Sequence, residues 1–180
     1  SDIRLEPDML EKSSKNLHDK LKIAEKAASL LEEGDCIYLD AGTTTLHMID
    51  FMDKTKDIVV VTNGVMHIDA LIRKEISFYL LGGYVKHRTG AIIGGASLIA
   101  MDQYRFDKSF LGTNGVHTEA GFTTPDPDEA LLKQKAIKQA KHAYVLADPS
   151  KFGEISFSAF AGIGDATIIT TDAEELTFDN

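Results

Sequence analysis

One cysteine, no tryptophan and four prolines stand among the 180 residues. The lone Cys36 cannot close an internal disulfide; it lies in an apolar run, is expected as buried filler in a first strand, and fits a reducing cytoplasm. No apolar run approaches the ~18 residues that a membrane span requires. The opening Ser1-Asp2-Ile3-Arg4-Leu5 is too polar for a secretion signal. The six histidines are scattered, no pair has metal-ligand spacing, and no Cys-x-x-Cys exists, so no metal is expected. The dinucleotide Gly-x-Gly-x-x-Gly fingerprint and the nucleotide P-loop are missing from the first strand–helix turn, and no Gly-x-Ser-x-Gly elbow is found. No cofactor is therefore expected. Basic residues are also scarce: 19 Lys plus Arg oppose 28 acids, a net charge of −9. Gripping a nucleic-acid backbone needs a basic face, so this chain is not expected to do so by itself.

What remains is an ordinary globular composition, 43% hydrophobic and 26% charged. The length suits one domain. The chain opens on Ser1 rather than Met and is read as a fragment. Residues 1–15 show no period and read as a leader or linker remnant, with one domain over 16–180. Asn16 to Glu33 read as a helix, with Leu17, Leu21, Ala24, Ala28 and Leu31 on one face and Gly34 as its stop. Short apolar runs then alternate with helical stretches. They are Cys36–Leu39, Ile58–Val61, Ile76–Leu81, a run ending in Phe110-Leu111, Ala143–Ala147 and Thr167–Thr170. Runs of this kind, apolar throughout, indicate an α/β fold with a mostly parallel sheet and helices on both faces. The Gly-rich Tyr84–Gly95 reads as a loop or a small excursion.

The runs end in Gly, Thr, Asn, Asp or Lys. In an open α/β sheet these ends converge on the crevice where ligands bind, and their side chains suit hydroxyl groups. The sharpest segment is Asp40-Ala41-Gly42-Thr43-Thr44-Thr45, between a strand and a helix. Unpaired N–H groups and the dipole at a helix start favour an anion, so a phosphate fits there; a plain Thr43 or Thr44 N-cap is the alternative. Lys151, just past a strand end, supplies a cation or a solvated surface lysine. Arg88 reads as closing the crevice from above or as an exposed loop residue. Glu129 and Lys133, four apart at a helix start, read as a surface pair or as a turn tucked over the crevice.

Together these segments resemble the C-terminal effector domain of DeoR-family bacterial transcription repressors. The resemblance is carried by Leu39-Asp40-Ala41-Gly42-Thr43-Thr44-Thr45, Val61-Thr62-Asn63-Gly64, Leu81-Gly82-Gly83, Arg88-Thr89-Gly90 and Arg105-Phe106-Asp107-Lys108. Phe110-Leu111-Gly112-Thr113-Asn114-Gly115, Gly121-Phe122-Thr123-Thr124-Pro125-Asp126 and Asp148-Pro149-Ser150-Lys151-Phe152-Gly153 continue it. It implies a ribose-phosphate-isomerase or NagB-like fold and a phosphorylated sugar as inducer. It also implies a DNA-binding winged helix-turn-helix outside this chain, and a homo-oligomer, dimer or tetramer. Fructose 1-phosphate and tagatose 6-phosphate are the implied effector types, with Thr123-Thr124-Pro125-Asp126-Pro127 leaning to the first. By the same resemblance Gly42, Thr43, Thr44, Arg88 and Lys151 hold phosphate. Asp40, Thr62, Asn63, Gly82, Gly83, Asn114, Glu129 and Lys133 line the sugar cavity. The alternative is a sugar-phosphate isomerase of the same fold. Isomerases carry an Asp-Gly-Ala-Asp stretch, and Met101-Asp102-Gln103-Tyr104-Arg105-Phe106-Asp107 matches it only at Asp107. The expectation is therefore of no enzyme activity.

Overall fold

The computed structural model describes residues 16–171; the expected leader lies outside the described residues. Helix α1 runs over 16–28 and presents Ile23, Ala24, Ala27 and Ala28 to the core. It ends five residues before the expected Glu33. Its last turn tightens through Leu30 N–H to Ala27 O and Leu31 N–H to Ala28 O, and Gly34 reverses the chain at φ +80. Then come β1 (Cys36–Leu39), α2 (Thr43–Asp50), β2 (Val59–Thr62), α3 (His67–Arg73) and β3 (Ser77–Leu80). A hairpin of β4 (Tyr84–Val85) and β5 (Ile92–Ile93) and helix α4 (Gly95–Met101) follow. The second half holds β6 (Phe106–Gly112), β7 (Gly115–His117), β8 (Gly121–Thr124), α5 (Pro127–Lys138), β9 (Ala140–Leu146), β10 (Ser158–Ala161) and β11 (Thr167–Ile169).

The main sheet is six-stranded in the order β11-β9-β6-β1-β2-β3, and every neighbouring pair is parallel. Alternation along β1 divides the core. Ile37 and Leu39 point to the face covered by α1, α2 and α3, with Val60, Met48, Leu71 and Phe110. Tyr38 points to the opposite face, with Val61, Phe106, Leu111 and Val145 under α4 and α5. Each fully buried side chain of this kind contributes roughly 1.5–3 kcal/mol, which is why the central runs read as continuous apolar segments. Helix α5 starts where the Asp126 side chain accepts from Asp128 N–H at 2.8 Å, with Pro127 in its first turn.

Three features were not read from the sequence. Strands β10, β8 and β7 form a separate antiparallel sheet, in which Phe122 and Phe160 stack at 6.0 Å. The Tyr84–Gly95 excursion is the β4–β5 hairpin. Cys36 is exposed, not buried filler: it is the outer end of β1, where its N–H donates to Asp107 Oδ2 at 2.9 Å.

Candidate functional site

Strands run outward from β1 to β2 and β3 on one side and from β6 to β9 and β11 on the other. The direction of winding switches between β1 and β6. A crevice must open there, outside the carboxyl ends of these two strands. The chain leaves β1 as Asp40-Ala41-Gly42 and leaves β6 as Gly112-Thr113-Asn114. Between them lies a cavity of about 570 Å³.

One wall is the start of α2. Gly42 takes φ +150, a conformation that side chains disfavour. The first helical bond closes from Leu46 N–H to Gly42 O at 3.1 Å, so the N–H groups of Thr43, Thr44 and Thr45 precede the ladder. Neither Thr43 nor Thr44 supplies a side-chain cap; both line the cavity. Thr45 turns inward instead. Its hydroxyl bonds to Asp40 O, lies 3.1 Å from Gly42 O, and meets His67 Nε2 at 2.9 Å.

Five cations line the cavity (Lys20, Lys86, Arg88, Lys133 and Lys151) against two acids, Glu129 and Asp148. In a chain of net charge −9, this is a local reversal of sign that favours an anionic guest. Lys86 bridges Asp126 at 2.9 Å and Glu129 at 3.4 Å, tying the hairpin to the start of α5. Burial opposes its charge, but the Asp126 bond and the two carboxylates outweigh this and raise the Lys86 pKa. The same bond from Lys86 lowers that of Asp126. Lys133 is buried, donates to Asp40 Oδ2 and to Gly112 O at 3.0 Å, and lies 5.5 Å above the Phe160 ring. Among the described residues, Lys20, Arg88 and Lys151 make no salt bridge.

The expected site residues divide by position. Gly42, Thr43, Thr44, Arg88, Asn114, Glu129, Lys133 and Lys151 all line the cavity. Asp40, Thr62, Asn63, Gly82 and Gly83 do not. Asp40 is buried behind the wall, where its carboxylate accepts from Lys133 and from Gly112 N–H at 3.0 Å. Asn63 accepts from Ala41 N–H at 2.8 Å and donates to Ile92 O at 3.1 Å, pinning the β1–α2 turn to the hairpin. Thr62 donates to Leu39 O at 2.6 Å, so its hydroxyl ties β2 to β1. Gly82 and Gly83 carry α4: Ser97 Oγ donates to Gly82 O at 2.7 Å, and a Cβ on Gly83 would come within 2.3 Å of that hydroxyl. Glu129 and Lys133 do not pair with each other: Glu129 pairs with Lys86 of the hairpin and Lys133 with the buried Asp40.

Sequence reasoning missed Lys20, Lys86, Thr113, Thr124 and His67. Lys86 follows β4 directly and Arg88 lies in the turn of the hairpin, so no periodicity marked Lys86 as a partner of Arg88. Thr124 Oγ1 donates to Asn114 Oδ1 at 3.1 Å, which leaves the Asn114 amide nitrogen for the cavity. His67 is buried and its pKa falls to about 4, because burial disfavours its charge more than Asp40 favours it. Thr45 has one proton and two carbonyls beside it, so Nε2 carries the ring N–H and donates to Thr45. Nδ1 is left as a buried acceptor without a partner.

Comparison with known proteins gives these features a context. A sequence profile described as DeoR C terminal sensor domain matches residues 15–173. The chain is 99% identical over 180 residues to the HTH-type transcriptional regulator FruR of Bacillus subtilis (strain 168), covering all of this chain and 72% of that protein. It is 33% identical over 168 residues to the lactose phosphotransferase system repressor of Streptococcus mutans serotype c, covering 92% of this chain and 66% of that protein. The chain thus spans about two thirds of the length of such relatives. Ribose 5-phosphate isomerase A of Methanocaldococcus jannaschii shares the fold, with a TM-score of 0.52 at 19% identity over 74% of this chain and 53% of that one. These relatives are named as transcriptional regulators, and the isomerase likeness, at 19% identity, is one of architecture. The chain belongs to the DeoR C-terminal sensor domain family.

Proposed function

We propose that this sensor domain binds a phosphorylated sugar, of the fructose 1-phosphate or tagatose 6-phosphate type, as the inducer of a repressor. The observation that carries this reading is the pairing of a helix start whose first N–H groups precede the ladder with Arg88 and Lys151, cations without a salt bridge among the described residues, in one cavity. The N–H groups and hydroxyls of Thr43 and Thr44 meet the phosphate, and Arg88 and Lys151 balance its charge. Asn114, Glu129 and Lys133 take the sugar hydroxyls. Asp40 and Asn63 act as positioning residues, one orienting Lys133 and the other holding the turn. The Streptococcus mutans relative is named for a lactose phosphotransferase system, which supports a sugar-derived ligand.

Sensing requires no bond to be made. A ligand that joins the α2 turn to the hairpin stabilises one arrangement of the domain and shifts its population. DNA contact belongs to a part of the full regulator outside this acidic chain, and the shift alters how that part is presented.

Thermal melting across a panel of sugar phosphates tests this. At a hundredfold excess over Kd the matching ligand adds about 2.7 kcal/mol, or on the order of 5–10 °C for a domain of this size. The Thr43→Val/Thr44→Val double variant loses that shift. The proposal fails if no sugar phosphate raises the melting temperature at millimolar concentration, or if the double variant responds as the parent does.

A further inference from the structure

We propose that His67, which does not line the cavity, is a positioning residue for the phosphate of the effector: through Thr45 it fixes the Asp40–Ala41 peptide, from which the N–H groups at the start of α2 take their aim. This role rests on the sugar-phosphate reading above. The peptide between Asp40 and Ala41 is held at both ends. Ala41 N–H donates to Asn63 Oδ1 at 2.8 Å. Asp40 O accepts from the Thr45 hydroxyl, whose oxygen accepts in turn from His67 Nε2 at 2.9 Å. Both restraints come from the segment that joins β2 to α3, and none of residues 63–67 lines the cavity, whereas Ala41, Gly42, Thr43 and Thr44 do. Binding groups work only when a supporting layer holds them to about 0.5 Å and 10–20°. Here that layer stands directly behind the turn.

Thr45 alone does not define the turn. A helical threonine has two rotamers open to it, because its hydroxyl can bond back to a carbonyl of the preceding turn. Two carbonyls compete for its single proton, Asp40 O and Gly42 O, the latter at 3.1 Å. The N–H of His67 engages the hydroxyl oxygen from the side of α3 and so selects one orientation. The fold gives up something to place the ring there. His67 is buried, and its Nδ1 has no partner, which costs the desolvation of that nitrogen. Gly64 must stay without a side chain, since a Cβ would stand 2.4 Å from Nδ1.

The same segment carries the opposite wall. Val65 N–H donates to Gly90 O at 2.9 Å and Ile92 N–H to Asn63 O at 2.8 Å, so the hairpin that bears Arg88 hangs on it as well. One short stretch of chain, outside the cavity, thus sets the turn and the hairpin in register with each other. A phosphate that meets both reads that register, and His67 is the side chain through which the register reaches Thr45.

Calorimetric titration of the 180-residue chain with fructose 1-phosphate and with tagatose 6-phosphate at pH 7, together with amide exchange of the free protein, tests the assignment. His67→Leu removes the donor; His67→Gln keeps one near Nε2. The leucine variant is expected to raise Kd about tenfold, the worth of one well-placed hydrogen bond. Its Ala41 amide exchanges faster than the parent's, while the amides of β1 exchange at the parent's rate. Glutamine is expected to restore Kd to within about threefold; a merely structural loss would slow no recovery of this kind into being and would speed exchange in β1 as well. Should the leucine variant fail to fold, Thr45→Val removes the hydroxyl through which His67 acts, and the same loss of affinity is expected. A folded leucine or valine variant with the parent's Kd overturns the proposal, as do leucine and glutamine variants that bind equally weakly. A parent that binds neither ligand overturns the effector reading itself, and this role with it.

Discussion

Acid acts on the turn between β1 and α2 from behind, through His67. Its ring donates from Nε2 to Thr45, whose hydroxyl caps carbonyls of the Asp40–Gly42 turn. Protonation would place a second N–H, carrying charge, on a buried nitrogen with no partner. The folded-state pKa of about 4 against the ordinary 6.5 expresses that cost. A difference of this size is worth about 3 kcal/mol in full. The sign follows from the direction. A histidine depressed in the folded state contributes fully above pH 6.5, and its contribution is lost as pH falls toward about 4. Between pH 7 and pH 5 the loss is about 2 kcal/mol. Urea denaturation of the parent and His67→Gln at several pH values in this window measures it. Glutamine keeps a donor near Nε2 but does not titrate. Asp126, held low by its bond from Lys86, titrates below the window and cancels from the comparison. The parent should lose about 2 kcal/mol more than the variant. Parallel curves, or a folded-state His67 titrating near 6.5 by NMR, would refute the reasoning.

Lys133→Met leaves the buried Asp40 carboxylate with only the Gly112 N–H, which should cost about 3–5 kcal/mol. Adding Asp40→Asn should recover much of it, and a single-variant loss below ~1 kcal/mol in denaturant melts contradicts the buried-charge account. At Gly42 a Cβ would meet nothing nearer than Thr45 Oγ1 at 3.8 Å, so Gly42→Ala is a pure backbone perturbation of φ +150. It should cost about 1–3 kcal/mol and weaken any sugar-phosphate shift, whereas a variant as stable as the parent would show that the turn relaxes freely.

The sheet was legible where burial on both faces erased any need for alternation. Cys36–Leu39 and Ile58–Val61 read as strands because each central position is apolar whichever way it points. The β10-β8-β7 sheet was not, because Gly115-Val116-His117 and Gly121-Phe122-Thr123-Thr124 are short and broken by glycine, histidine and threonine. Cys36 misled because an apolar run does not say which end protrudes. Of the site, Gly42 to Thr44 were readable as local chemistry at a strand–helix turn. The bond between Lys133 and Asp40 was not, since 93 residues separate them and the local pattern offered Glu129 as the nearer partner. Single-sequence reasoning sees neighbours along the chain; the topology chose neighbours across the switch point.

That choice also bears on why an isomerase-like fold here serves sensing. A general base must be free to receive a proton from the substrate. In and behind this cavity the carboxylates are occupied: Asp40 by Lys133 and Gly112 N–H, Glu129 by Lys86, and Asp148 by Ser150 N–H at 2.9 Å. The cations are not matched in the same way, for Arg88 and Lys151 have no salt-bridge partner among the described residues. Carboxylates already engaged beside the unpaired cations Arg88 and Lys151 are what the proposed anion-binding role requires; that role needs no proton transfer from a substrate. Replacing Lys86 by Met sharpens the distinction, because it releases Glu129 without touching the α2 turn. Under this account the variant still binds sugar phosphate through Thr43 and Thr44, with a smaller melting shift as the hairpin loosens from α5, and it gains no isomerase turnover. Turnover in the variant would mean that Lys86 was restraining a working base, and the sensing account of Glu129 would have to be given up.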